Sequence, residues 1–209
     1  MLCKLSDVKT LLGISQQDTT KDAKITLVIK SVSAQIENYI GYKLGFGTYT
    51  DELHNVNSRQ LIQLNHFPLR TVSSVTIKDR PIEDYKIIPE YARWGRLYKG
   101  DGWSGDYYTR GFTRDIVAGE WEIVVSYTAG YYLPGDTNYV EGADDSLPYD
   151  IMSACLNQVV LDWKNEAVQG VKSHHEGNIS DTFDDSISGG ELSLGVKKIL
   201  SAYCWYGVA

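Results

Sequence analysis

Cysteine is scarce and scattered. The chain has three, Cys3, Cys155 and Cys204, an odd number with none of the close spacing of a zinc site or a disulfide framework. They are expected to be the reduced thiols of a cytosolic protein. Long apolar runs are lacking too: nothing approaches the roughly 18 consecutive apolar residues of a membrane span, and the first residues, MLCKLSDVKTLLG, hold no long h-region. A soluble chain with no membrane partner is expected. Clusters of positive charge are also missing. Against 27 Asp plus Glu stand 20 Lys plus Arg, a formal net charge of -7, with no basic run to grip a phosphate backbone. Phe is rare at 4, whereas Tyr reaches 15 and Trp 5. Such amphipathic aromatics suit half-exposed sheets, interfaces or sugar platforms, and composition does not choose among them.

Catalytic signatures are the next absence. There is no GxSxG, no Walker loop and no cysteine in a characteristic nucleophile setting. The stretch VKSHHEGNISDTFDDSISGGE, residues 171 to 191, holds every ligand type a metal hydrolase needs. Its spacing is unfavourable, because adjacent histidines on an extended chain point to opposite sides, whereas helical zinc patterns space them by three or four residues. His54 and His66 sit in strand contexts with no carboxylate-rich pattern around them. Glu120 and Glu122 share the alternation of a glycosidase pair, but also that of an ordinary solvent-facing strand. Hence no catalytic residue, no metal ligand and no cofactor is expected. Cys155 falls in an apolar helical stripe, so packing outweighs reactivity as its reading.

The pattern along the chain is helices, then strands, then helices. SDVKTLLG predicts a short helix capped by Ser6 and stopped by Gly13. In KDAKITLVIKSVSAQIENYIG, residues Ile25, Ile29, Val32, Ile36 and Tyr39/Ile40 recur every three or four positions, Thr19 and Asp22 have capping-box spacing, and Gly41 ends the run. From about Thr48 the period drops to two, and EWEIVVSYTAGYYLPG puts Trp121, Ile123, Val125 and Tyr127 on one strand face. About five to seven strands are expected in this middle segment. Helical spacing returns with Met152, Cys155, Leu156, Val159, Val160, Trp163 and Ala167, and again with Val196, Ile199, Leu200 and Tyr203. The fold class read from this is α+β: a small helical bundle of about four helices, residues 1–47 and 145–209, with an inserted antiparallel β domain, residues 48–144.

With that order in view, the chain resembles the tailed-phage head-tail connector proteins, also called adaptors or DNA-packaging connectors, over nearly its whole length. The resemblance rests on LSDVKTLLGI, DAKITLVIKSVSAQIENYIG, LIQLNHFPLRTVSSVTI, IVVSYTAGY, and LPYDIMSACLNQVVLDW followed by VKSHHEGNISDTF. It implies a structural virion protein of the neck, assembled in the host cytoplasm, with no reaction to catalyse. It also implies a ring of about twelve copies beneath the portal protein that extends the DNA channel without sequence-specific binding and offers a surface to a tail or stopper protein. Candidate interface residues are the loop aromatics Trp103, Tyr107, Tyr108, Tyr131 and Tyr132, with His174, His175, Ile179 and Phe183 in what resembles the family's loop between the last two helices. Between Lys172 and Glu191 the only large apolar groups are Ile179, Phe183 and Ile187, too few to offset about 1 to 2 kcal/mol per residue of ordering, so this loop is expected to be mobile until assembly buries it. Two alternatives remain open: a carbohydrate-binding or other aromatic-rich module built on Trp94, Tyr98, Trp103, Tyr107 and Tyr108, and a metal-dependent hydrolase.

Overall fold

The computed structural model describes residues 1–55, 59–103, 121–166, 173–176, 179–182 and 191–204. Helices α1 (Leu5–Leu12) and α2 (Asp22–Ile40) come first. Strands β1 (Gly47–Asn55), β2 (Leu61–Gln63), β3 (Leu69–Ile77), β4 (Arg80–Pro81) and β5 (Tyr85–Lys86) follow, then a single helical turn, α3 (Pro89–Ala92). β6 (Arg96–Lys99) and β7 (Trp121–Ala129) complete the strand-rich part. Then come α4 (Tyr149–Glu166), the strands β8 (Ser173–Glu176) and β9 (Ile179–Thr182), and α5 (Leu194–Leu200) with a 3-10 turn at Ser201–Tyr203. Two compact units result, residues 1–42 with 132–209, and residues 43–131. The divide falls at 42/43 and 131/132, where the sequence suggested 47/48 and 144/145. Residues 132–147 lie with the helices because the backbone N–H of Tyr132 donates to Asp145 O and that of Leu147 to Tyr132 O (2.9 and 3.0 Å).

In the helical unit the apolar period does what it predicts: Ile25, Ile29, Val32, Ile36 and Ile40 are all buried along one face of α2. Tyr39, grouped with them by spacing, is exposed. Gly13 ends α1 in the left-handed region, its N–H donating to Lys9 O and Thr10 O. Both expected N-terminal caps differ. Ser6 lies inside the first turn of α1 and donates to Asp7 Oδ1. The Thr19–Asp22 box is replaced because Asp22 is taken by Lys9, and Asp18 instead accepts from the N–H and hydroxyl of Thr20 (3.0 and 2.6 Å).

Lys9 explains the shape of this corner. Its side chain is buried, and its Nζ donates to Gln16 O (3.0 Å) and Asp18 O (2.8 Å) and pairs with Asp22 Oδ1 (2.9 Å). Two of the ammonium's donors go to carbonyls and its charge is paired with a carboxylate, which is the condition for burying it. The chain between α1 and α2 is thereby tied to α1.

α4 packs against α2 and α5. Its buried positions are Ile151, Met152, Ala154, Cys155, Gln158 and Val159, a stripe rotated from the expected one; Leu156, Val160 and Trp163 are half-exposed, and Ala167 lies outside the described residues. Gln158 takes a core position because it holds the approach to α5: Nε2 donates to Asp162 Oδ1 (2.8 Å) and Glu191 O (3.2 Å), and Oε1 accepts from Ser193 N–H (2.9 Å). Ser193 then caps α5, which buries Val196 and Leu200 but leaves Ile199 exposed and ends before Tyr203.

β8 and β9 pair antiparallel, with His174 opposite Asp181 and His175 opposite Ser180. The segment expected as a plain connecting loop therefore contains a hairpin. Its two strands are separated in sequence by Gly177 and Asn178, a dipeptide that signals a hairpin and that the reading for metal ligands passed over.

The second unit holds a four-stranded antiparallel sheet in the order β1-β7-β3-β4 and a three-stranded one in the order β2-β6-β5. β7 is central, and Ile123, Val125, Tyr127 and Ala129 are fully buried at alternate positions. In β1 the pairing runs Tyr49 to Tyr127 and then Glu52 to Val125, so β1 carries one residue more than its partner. Asp51 sits in that bulge at φ 54, its N–H donating to Ser126 Oγ (3.0 Å). An inserted residue reverses the alternation of everything beyond it. Glu52 and His54 therefore turn inward and Leu53 outward, the opposite of what hydrophobicity alone suggests.

Candidate functional site

The bulge brings a carboxylate into the sheet unit, and two side chains and a backbone N–H donate to it. His54 Nε2 donates to Glu52 Oε1 (2.7 Å), the Tyr127 hydroxyl donates to Oε2 (2.6 Å), and the Asn65 N–H donates to Oε1 (3.0 Å). His66 Nδ1 lies 3.3 Å from Glu52 Oε2 and 3.1 Å from the Tyr127 hydroxyl, and the Tyr49 ring stacks on His66 with centroids 3.6 Å apart. His54 and His66, whose sequence surroundings showed no carboxylate-rich pattern, thus share the carboxylate of Glu52, which stands two residues before His54.

The electrostatics of this group are fixed rather than poised. Burial pushes the Glu52 carboxyl up, but the hydrogen bonds from His54, Tyr127 and the Asn65 N–H, together with the charge of His54, outweigh it and hold the group at about 2. Burial, and then the bond to and charge of Glu52, push the Tyr127 hydroxyl up. An acid this low and a phenol moved this way exchange no proton near neutrality, so the cluster reads as a structural network rather than an acid-base pair. Among the described residues no three His, Cys, Asp or Glu side chains are grouped so as to hold a metal.

The expected interface residues fare differently. Trp103 is a correction: it is fully buried in the sheet unit's own core, with Nε1 donating to Gln60 O (3.1 Å) and Leu97 O (3.2 Å). Its Gly-flanked sequence suggested an exposed loop, but an indole that finds two carbonyls is at home inside. A sugar platform that counts on Trp103 loses that ring, and the guanidinium of Arg93 lies over Trp94, 5.3 Å from its centroid. Tyr131 is half-buried beneath Arg70, whose guanidinium stands 5.1 Å from the ring while Nε donates to Gly130 O (2.9 Å). Tyr132 is half-buried in the helical unit and bridges to Ser146. His174, His175 and Ile179 take their places in the β8–β9 hairpin. Tyr107, Tyr108 and Phe183 lie outside the described residues.

Apolar side chains that sequence reasoning missed are exposed in the helical unit. Leu27 on α2 is 70% exposed, Tyr149 at the start of α4 67%, and Leu194 at the start of α5 83%. Leu27 was legible. It lies two residues after Ile25, about 200° around the helix and so opposite the buried stripe. Tyr149 and Leu194 are first-turn residues, where no stripe has yet formed.

The chain is thus a helical unit interrupted in sequence by a sheet unit, with apolar side chains exposed on the helices. The sequence matches the head completion protein family over residues 1–203. It belongs to that family. A head completion protein is a structural component of the virion, at the head-tail connector. Solved structures share the fold. The chain is similar to a protein in the neck of an empty gene transfer agent particle computed with C6 symmetry (14% identity, TM-score 0.56), which matches 98% of this chain and 90% of that one. It is also similar to a protein in the virion of the native gene transfer agent particle (13% identity, TM-score 0.52) and to one in the native neck computed with C12 symmetry (13%, 0.50), with the same coverage in both cases. A comparison with curated proteins finds no match.

Proposed function

We propose that this head completion protein assembles into a ring in the virion neck, docks on the portal protein, continues the DNA channel and presents a surface to a tail or stopper protein. The observation that carries this is the family match over residues 1–203; the likeness to proteins of a neck computed with sixfold and with twelvefold symmetry supports a ring of about twelve copies. Charge fits the same reading. Each copy brings a formal -7 and no basic run, so a wall built from many copies repels DNA phosphates and lets the genome slide. No step in this role requires a reaction. In a cyclic ring one face of each subunit meets a different face of the next, and we take Leu27, Tyr149 and Leu194, with Tyr131, Tyr132 and the β8–β9 hairpin, as the first places to look for those contacts.

Light scattering at rising concentration, with and without the purified portal, tests the proposal. Monomers passing to a closed ring, or joining the portal, is the expected result. A chain that stays monomeric at every concentration and ignores its portal would sink it. A reproducible hit on a glycan array would favour the binding-module reading instead.

A further inference from the structure

The sequence separates Cys3 from Cys155 by the whole inserted unit, and the helical unit brings them together. Both side chains are fully buried, and the Cys155 thiol donates to Cys3 Sγ at 3.6 Å. Buried cysteines ordinarily behave as small apolar residues; two of them in direct contact have a further option. We propose that Cys3 and Cys155 are an oxidisable pair, reduced while the protein is made in the host cytoplasm and joined as an internal disulfide once the virion is outside it.

The sulfurs already touch. A disulfide needs them at about 2.05 Å, so from 3.6 Å they must approach by roughly 1.5 Å. Access comes from the Cys3 side. Residues 1–4 lie outside any helix or strand, Met1 is exposed, and the Leu2 N–H donates to Ser33 Oγ (3.1 Å). Cys155 lies within α4 and does not have that freedom. The reaction takes a peroxide as oxidant. The Cys3 sulfur attacks one peroxide oxygen, the O–O bond breaks, and the departing oxygen leaves as water with the thiol proton, giving a sulfenic acid. The Cys155 sulfur then attacks that sulfur, the S–S bond forms, the S–O bond breaks, and the hydroxyl leaves as a second water with the Cys155 proton. Two thiols are oxidised and one peroxide is reduced to two waters. The hydrogen bond from Cys155, and then burial, push the Cys3 thiol up, which keeps thiolate scarce and the reaction slow.

The consequence is a cross-link across a very long loop of chain, the arrangement in which a disulfide restricts the unfolded state most. It suits a part that must hold in a finished particle but be assembled in a reducing compartment.

The test uses the full chain with Cys204→Ser, which leaves only the pair. After hydrogen peroxide treatment, denaturation and alkylation, the expected product has lost about 2 Da and takes up no alkylating reagent, and reduction restores both thiols. The oxidised form should melt roughly 5 to 10 °C above the reduced form, with the gain removed by dithiothreitol. Cys3→Ala and Cys155→Ala in the same background should each abolish both effects; because the bond is read on the unsubstituted pair, the result does not depend on those variants folding. Two thiols still alkylated after treatment, a sulfinic acid at Cys3, or a disulfide that lowers the melting temperature would each overturn the proposal.

Discussion

The helical unit and the sheet unit both bury charged side chains, and they use them in opposite ways. Lys9 is spent on backbone: it fastens the Gln16 and Asp18 carbonyls of a connection that has no regular structure of its own. Glu52 is spent mostly on side chains, collecting His54 and Tyr127 inside a sheet whose backbone is already paired. A helix satisfies its own interior backbone, so what a helical unit lacks is control of the links between helices. A sheet has fixed links, and what it gains from a buried charge is a single allowed arrangement of its inner face.

Substitutions can break or sharpen this contrast. The largest effect is expected at Gly130 in the sheet unit. Its φ is 99, and an added Cβ would stand 2.4 Å from Gly45 O. Gly130→Ala should cost about 4 kcal/mol or more, read by urea unfolding. A loss under 1 kcal/mol would mean that β7 and the chain before β1 separate freely.

Next is the helical unit's charge. Lys9→Met leaves two carbonyls without their donor and Asp22 without its partner, for an expected loss of about 3 kcal/mol. Hydrogen exchange should speed up across residues 13–21 more than in β7. Uniform acceleration would erase the distinction between a tie on one connection and a general stabiliser.

Glu52→Gln should cost less, about 2 kcal/mol at neutral pH, and carries a pH signature. The folded carboxyl sits at about 2 against an ordinary value of 4.5, so its contribution is complete above about pH 4.5 and is lost as pH falls toward 2, where the unfolded chain takes up a proton first. Acid unfolding of the parent should therefore show a component in that window that the Gln variant lacks. Identical acid profiles would remove Glu52 from the account. The smallest effect is expected at Leu27. Leu27→Ser should change stability by less than about 0.5 kcal/mol, because 70% of the side chain is already in water. If sedimentation shows it weakening self-association, Leu27 belongs to a subunit contact; a large stability loss would mean that it packs where it now stands exposed.

Legibility in the sequence followed the same divide. The α2 stripe is plain because one period governs nineteen residues, and each of Ile25, Ile29, Val32, Ile36 and Ile40 is found where that period puts it. Gln158 broke the α4 pattern because its task, holding Glu191 and Ser193, depends on residues far along the chain. The β7 alternation was equally plain. β1 was not, since a single extra residue at Asp51 reverses inside and outside, and nothing in TYTDELHN marks the point. Trp103 misled because a glycine-rich neighbourhood describes the backbone and says little about where an indole goes. The contact of Cys3 with Cys155 has no local trace at all, being a product of how α4 lies against the start of the chain.

The sheet unit begins and ends at one spot: Tyr131 N–H donates to Leu44 O and Phe46 N–H to Tyr131 O, both at 2.8 Å, with Gly130 pressed against Gly45 between them. Residues 43–131 leave the helical chain and return to it across the width of one strand pairing. In evolutionary terms the insert is a cassette. Its interior can be lengthened, exchanged or remodelled while the two ends it hands back stay the same distance apart, so the helices it interrupts need not change with it.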